Sequence, residues 1–474
     1  MKILIKYLGY ILLISAFFRI IPITAAIIYD EPFGLFLLTS GLSLFIGLSL
    51  IMAERRMETR EKTLTLHKGL MLVALSFIMI SVISSISFLP HFQYNFIDAL
   101  FESVSGYTTT GMSIFSSLDH LPKSLLLWRA ETQWMGGMGI VMVFLFIFSR
   151  IKTPAYEDRV VHAEEETHTA MALYRAQGFS QDMEPSIRNT TRNIIMIYGI
   201  YSLLGIFFLW LFGMTLYESI GMVFTALSTG GFTLSDSFYT NNMQLVVLSV
   251  LMVIGSISFI AHNKLVRLRI RNFIASFEKN VLLVMLAVFI GLGFLALSDA
   301  KTVLFEIISA FTTTGYSISD IPALPHLFIM LIMLAMIIGG SVASTSGGIK
   351  VFRVFVLLKS IPWMVKKLGS PAGAVIPFNV NKKPMAENNL LIIEMFFVTY
   401  ISLLAIGTVI LMILGYNFLD SSFQMTSALG TVGLQTMELA GMHWIGKITL
   451  MIAMLMGRLE IFPLFVLVRN LVKG

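Results

Sequence analysis

One pattern returns four times along this chain: a long apolar run, a shorter segment of about a dozen helix-compatible residues ending in a glycine-containing stretch, then a second long apolar run. The short segments are 95–112 (NFIDALFESVSGYTTTGM), 216–232 (LYESIGMVFTALSTGGF), 302–316 (TVLFEIISAFTTTGY) and 418–434 (FLDSSFQMTSALGTVGL). An internal repeat constrains a fold more than any single motif does. The long runs reach the roughly 20 apolar residues needed to cross a hydrocarbon core about 30 Å thick, and the short segments do not. Non-helical backbone at that depth survives only where protein buries it or it lines a watery cavity. Four such loops therefore imply a pseudo-fourfold ring of backbone carbonyls with four helix C-termini aimed at its centre. A carbonyl ring substitutes for the hydration shell of a potassium ion, and negative helix ends favour a cation.

The rest of the composition agrees. With 56% hydrophobic and 13% charged residues, the chain has too little polar surface for a soluble protein of 474 residues. The expected fold is an all-α polytopic membrane protein of about ten spans: four helix–re-entrant pore loop–helix repeats around one central pore, plus two extra N-terminal helices. The expected divisions are 1–62 for the N-terminal helices, 63–152 for repeat one and 153–190 for a cytosolic linker. Repeat two follows at 191–272, repeat three at 273–360, a second linker at 361–386 and repeat four at 387–474. The first run, Ile3 to Ile28, is longer than a signal-peptide core and lacks a small-residue cleavage site, so it reads as a retained span.

The loops alternate in charge. Arg55, Arg56, Arg60 and Lys62, then Lys264, Arg267, Arg269 and Arg271, then Lys359, Lys366, Lys367, Lys382 and Lys383 form one kind. Asp30, Glu31, Asp98, Glu102, Asp236, Asp320, Asp420 and Glu438 form the other. The positive-inside rule places the basic loops and both termini in the cytoplasm. The net charge of +6 is spread between spans, so it does not point to nucleic acid. Without cysteine there is no disulfide or thiolate metal site. The 30 methionines read as flexible packing.

Aligning the short segments brings Gly111, Gly231, Gly315 and Gly433 into register. Glycine belongs there because a carbonyl turned toward the axis needs dihedrals that a Cβ opposes. The residues before them, Thr108 to Thr110, Ser228 to Gly230, Thr312 to Thr314 and Gly430 to Val432, supply the remaining carbonyls. Thr109, Thr110, Thr229, Gly230, Thr313, Thr314, Thr431 and Val432 thus complete the candidate ion-binding set. One Thr-Gly turn is an ordinary loop; four at equivalent places are not.

The second span of repeat three, about Phe328 to Leu358, is interrupted at 339–348 by Gly339, Gly340, Ser341, Ser344, Thr345, Ser346, Gly347 and Gly348, with Val342 and Ala343 among them. This stretch reads as an intramembrane loop beneath the ring, with Lys350 near its cytoplasmic end, or as close small-residue helix packing. Arg458 lies within the apolar final span, where an arginine faces a cavity or partner, pairs with Glu460, or snorkels to the surface. Arg129 and Glu131 read as an interfacial pair. Segment 151–192 reads as a solvated linker or a docking surface. No GxxxxGK[ST], HExxH or GxSxG occurs, so the chain reads as a non-enzyme, and an activity would have to rest on Ser346.

On these residues the chain resembles the Trk/Ktr/HKT superfamily of potassium transporters, most closely its bacterial TrkH-type subunits. The resemblance covers nearly the whole length: Asp98 to Gly111 (DALFESVSGYTTTG), Trp128–Arg129, Gln133 to Val141 (QWMGGMGIV), Leu173 to Gln177 (LYRAQ), Gly339 to Arg353 (GGSVASTSGGIKVFR) and Gly457 to Leu464 (GRLEIFPL). The fourth filter, Gly430 to Gln435 (GTVGLQ), is more like Ktr sequences. The resemblance implies K+ uptake through a selectivity filter in the bacterial cytoplasmic membrane. It implies a homodimer of separate pores, and a cytosolic TrkA- or KtrA-like nucleotide-binding ring as gating partner, with no nucleotide on this chain itself. It further implies that the 339–348 loop obstructs the pore and that Arg458 faces it. A sodium-permeable or ion-coupled carrier of the same superfamily is the alternative. In the family, serine at the first filter glycine accompanies sodium permeation, so Gly111 favours potassium.

Overall fold

The computed structural model describes residues 2–57, 65–150, 187–239, 241–371, 374–381 and 383–473, with side chains 66, 143–150, 187–191 and 473 left aside. Arg60, Lys62, Lys382, nearly all of the 153–190 linker and the Leu173–Gln177 motif lie outside the described residues. The described chain is almost wholly helical. Its strands are one short antiparallel pair, Asn379–Val380 with Lys383–Pro384.

Each repeat begins with a long apolar helix: Leu66–Ser85, Ile187–Leu211, Phe277–Ala296 and Glu387–Ile413. A pore helix of 12 residues follows in every case: Phe96–Tyr107, Leu216–Leu227, Ala300–Phe311 and Phe418–Leu429. All four start for one reason. Asn95, Thr215, Asp299 and Asn417 each accept a hydrogen bond from a first-turn backbone N–H, and Thr215 forms a full capping box with Glu218. Among the described residues, six helices are long and apolar enough to cross a membrane, and two further spans are bent pairs. With Lys123–Arg150 and the divided His326–Ile338/Val351–Leu368 span, they fill the ten expected places.

The sequence pattern presents the second runs of repeats two and four as continuous, and the structure breaks both. Asn242–Ser256 meets Phe259–Val266 at 104°, and Trp444–Arg458 meets the final helix at 114°. In repeat four, Pro463 cannot donate to the Leu459 carbonyl, and Glu460 and Ile461 take left-handed dihedrals (φ 61° and 65°). In repeat two, the Phe259 amide donates instead to Ala343 O of the repeat-three loop (2.9 Å). Three of the four second helices thus break at comparable depth beneath the pore helices. Arg458 stands at such a break rather than within a continuous span.

Candidate ion pore

Every pore helix ends the same way. Thr110, Gly230, Thr314 and Val432 donate their amides to carbonyls five residues back, at 2.8–2.9 Å. The residues before them, Thr109, Thr229, Thr313 and Thr431, are left-handed with φ of 51–59°. This is a Schellman-type ending in which glycine is usual. A β-branched residue there costs about 1–3 kcal/mol, and strain repeated four times points to a use for the hydroxyl. The sequence alignment marks these threonines as carbonyl donors; their shared strain is visible only in the backbone.

The four aligned glycines close a ring. Gly111, Gly231, Gly315 and Gly433 have φ between 78° and 98°. A Cβ on Gly111 would collide with Gly230 O, one on Gly231 with Thr314 O, one on Gly315 with Val432 O, and one on Gly433 with Thr110 O. Each repeat therefore abuts the next in chain order and the fourth returns to the first. Four carbonyl oxygens from four repeats gather at one level, close enough to exclude any side chain.

The supports behind the ring are unequal. Gln133 donates from Nε2 to Gly230 O (2.6 Å) and accepts from the Phe232 amide (3.1 Å), so one of the four carbonyls already has a protein donor. Tyr316 ties the third loop to the second pore helix through Thr225 Oγ1 and Met222 O. Glu102 and Glu306, each nine residues before one of these glycines, accept from the extended segment that follows it: Ser113 and the Ile114 amide for Glu102, Ser317, Ser319 and the Ile318 amide for Glu306. Arg129 pairs with Glu102 (2.7 Å), donates to Ser113 Oγ (3.1 Å) and Thr233 O (3.3 Å), and lies over Phe232. The expected Arg129–Glu131 pair is therefore replaced by Arg129–Glu102. Residues 129 and 131 point to different sides of their helix, whereas the pore helix presents Glu102 directly to Arg129. Glu102 is fully buried rather than at the mouth.

Toward the mouth, Asp236 accepts from Ser117 Oγ (2.6 Å) and the Leu118 amide (2.7 Å), and Glu438 from Ser116 Oγ (2.7 Å). Slight desolvation pushes the Asp236 carboxyl up, but the Ser117 and backbone hydrogen bonds and nearby His120 outweigh it and hold it below its ordinary value. That latch is complete above the unfolded carboxyl's pKa and is lost as pH falls through the folded one.

Gln133→Leu leaves the Phe232 amide buried without its acceptor, a cost of about 1–3 kcal/mol. The expected result is a roughly tenfold change in the ratio of two cation fluxes, read in proteoliposomes.

Beneath the ring, the whole of 339–350 is buried. Gly339 and Gly348 (φ 70° and 73°) close the loop's ends on each other, since a Cβ on either meets the other's backbone. Gly340 packs against Ser346 Oγ and Ser256 O, and its carbonyl accepts from the Val351 amide (2.9 Å). Ser344 Oγ donates to Ser341 O and lies 2.8 Å from Ser346 Oγ. The Gly347 amide donates to Thr313 Oγ1 (2.7 Å), and its Cα abuts Thr431 Oγ1 and Gly430 O. Thr345 Oγ1 donates within reach of Leu227 O and Gly255 O (3.0 Å each) and lies 3.3 Å from Thr229 Oγ1. The Ser341 amide donates to Ser256 O (2.8 Å), the Val342 amide to Glu278 Oε1, and Lys350 Nζ to Ser346 O. Glu278 is a contact the sequence reading did not single out.

Arg458 donates to Thr345 O of this loop and to Gly136 O (2.9 Å) and Gly137 O (3.1 Å) of repeat one. Glu460 pairs instead with Arg353. Lys350, Ser344, Ser346, Arg458 and Glu460 line a cavity of about 20 Å³, room for about one water.

A closed ring of four pore loops with a cation-favouring carbonyl level, set among membrane-length apolar helices, defines a pore-loop cation transport protein. The chain belongs to the TrkH family of cation transport proteins, whose family model matches residues 42–289 and 298–473. It is 33% identical to an uncharacterized cation transporter of Methanocaldococcus jannaschii, over 99% of this chain and 95% of that one. It is 27% identical to the Trk system potassium uptake protein TrkH of Halomonas elongata, over 98% of each, and 26% identical to that of Escherichia coli K12, over 98% and 97%. The crystal structure of the potassium transporter TrkH from Vibrio parahaemolyticus shares the fold, with a TM-score of 0.84 at 24% identity over 98% of both chains.

Proposed function

We propose that this chain carries out potassium uptake through the four-loop ring, gated by the 339–348 loop. The observation that carries the reading is the ring of glycines, each facing the next repeat's carbonyl. Such a level dehydrates an ion of one size without help from a side chain. Thr109 to Gly111, Thr229 to Gly231, Thr313 to Gly315 and Thr431 to Gly433 form the potassium path, and the relatives that are potassium uptake proteins support this cation over others. The loop, with Lys350 and Arg458, is the gate. It lies against Thr313, Thr431 and Thr229 in the path of any ion leaving the ring, and Arg458 adds a positive charge there. The protein resides in the cytoplasmic membrane with both termini in the cytoplasm, works as a homodimer of separate pores, and takes a TrkA- or KtrA-like nucleotide-binding ring as its gating partner. The experiment is potassium uptake in cells lacking their own uptake systems, with sodium as competitor. Growth at low potassium that sodium does not suppress is expected; sodium uptake in its place counts against the reading.

A further inference from the structure

The two N-terminal helices stand outside the fourfold repeat, and the pore as described gives them no task. Arg19 joins them to it. Pro22 cannot donate to the Phe18 carbonyl, and the first span, Lys2–Ile28, carries a one-residue turn at Arg19 between Lys2–Phe18 and Ile20–Ile28. Arg19 is 0% exposed. Its Nη1 donates to Ser15 O and Ser15 Oγ (3.0 Å each) and to Ser43 Oγ (3.1 Å), while the guanidinium lies 5.0 Å from the Trp128 ring centroid. Its Nε and Nη2 have no partner among the described residues.

Glu131 follows Trp128 by three positions on the second helix of repeat one, hence on the same face, while Arg129 and Gln133 face the filter. Glu131 is also 0% exposed, and neither carboxylate oxygen has a partner among the described residues. Arg19 lies within electrostatic reach of both Glu131 and Tyr107. Tyr107, whose hydroxyl lies beside Ser84 and Ser15, is the last residue of the pore helix before Thr108–Gly111. A lone charge at membrane depth is costly. Two opposite charges with open hydrogen-bonding positions in one buried polar cluster are what an ordered water joins.

We propose that Glu131 is the counter-charge of Arg19, joined to it through ordered water, and that this pair is a positioning device by which the N-terminal helices hold the first filter strand. Only its selectivity readout rests on the pore reading above. The test compares wild type, R19M, E131Q and R19M/E131Q in two measurements: the thermal midpoint in detergent, and the ratio of fluxes for the two cations that wild type discriminates best. R19M strands a buried carboxylate, so it is expected to lose the most midpoint and about tenfold of the flux ratio. Adding E131Q is expected to recover most of both. Should R19M yield no folded protein, recovery of folded R19M/E131Q supports the pair equally, and its failure to fold overturns it. Losses in the double variant equal to the sum of the single ones overturn the pair. A recovered midpoint with an unrecovered ratio overturns the positioning role. A wild type without potassium preference contradicts the pore reading instead, and the midpoints still decide the pair.

Discussion

Gly111→Ser is expected to lower potassium preference over sodium by at least about tenfold, roughly 1.4 kcal/mol, with protein levels little changed. Two independent features set the size of this effect. At φ 85° an L-residue is strained, and its Cβ is directed at Gly230 O, backbone of the next repeat that cannot step aside like a flexible side chain. Relief requires moving the repeat-one strand or the repeat-two strand, and either displaces one corner of a four-cornered carbonyl level. The Gly230 corner is also the one that Gln133 grips, so the disturbance passes into a rigid support. Reconstituted protein, loaded with potassium and challenged with sodium, gives the ratio directly. An unchanged ratio would remove Gly111 from the filter.

The second large effect is at the proposed gate. Arg458→Ala removes three hydrogen bonds from a charged donor, one to the loop at Thr345 and two to repeat one at Gly136 and Gly137. Such bonds contribute about 1.5–3 kcal/mol each, of which only a part separates the closed loop from an open one. Basal flux without any partner is therefore expected to rise about tenfold to a hundredfold. Shortening 339–348 is expected to act in the same direction. Equal or lower flux at matched protein levels would mean that Arg458 only packs the break in repeat four.

Much of the pore was legible in the sequence because the repeat is written in hydropathy and in glycine. Four short segments between membrane-length runs admit few arrangements, and the register of Gly111, Gly231, Gly315 and Gly433 follows from simple alignment. The gap at 339–348 was visible for the same reason: four glycines in ten positions interrupt any helix. The bend after Ser256 was not visible: its flanks are apolar and helix-compatible, and the break is set by a tertiary contact, the Phe259 amide with Ala343 O. The bend after Arg458 has a signal in the sequence, Pro463, which the repeat pattern of long apolar runs overrode. The partner of Arg129 was missed because sequence proximity favours Glu131, while the fold supplies Glu102 from 27 positions away. Glu278 and Gln133 were missed as supports because each acts on backbone, and backbone partners leave no trace in spacing.

The central claim is that four pore loops form one carbonyl ring selective for potassium. The most direct measurement is the potassium-to-sodium permeability ratio of the purified wild-type protein in a lipid bilayer, taken from the reversal potential under opposed gradients of the two ions. A reversal potential close to the potassium equilibrium value is the expected result. One midway between the potassium and sodium values, showing equal passage of both ions, would contradict it.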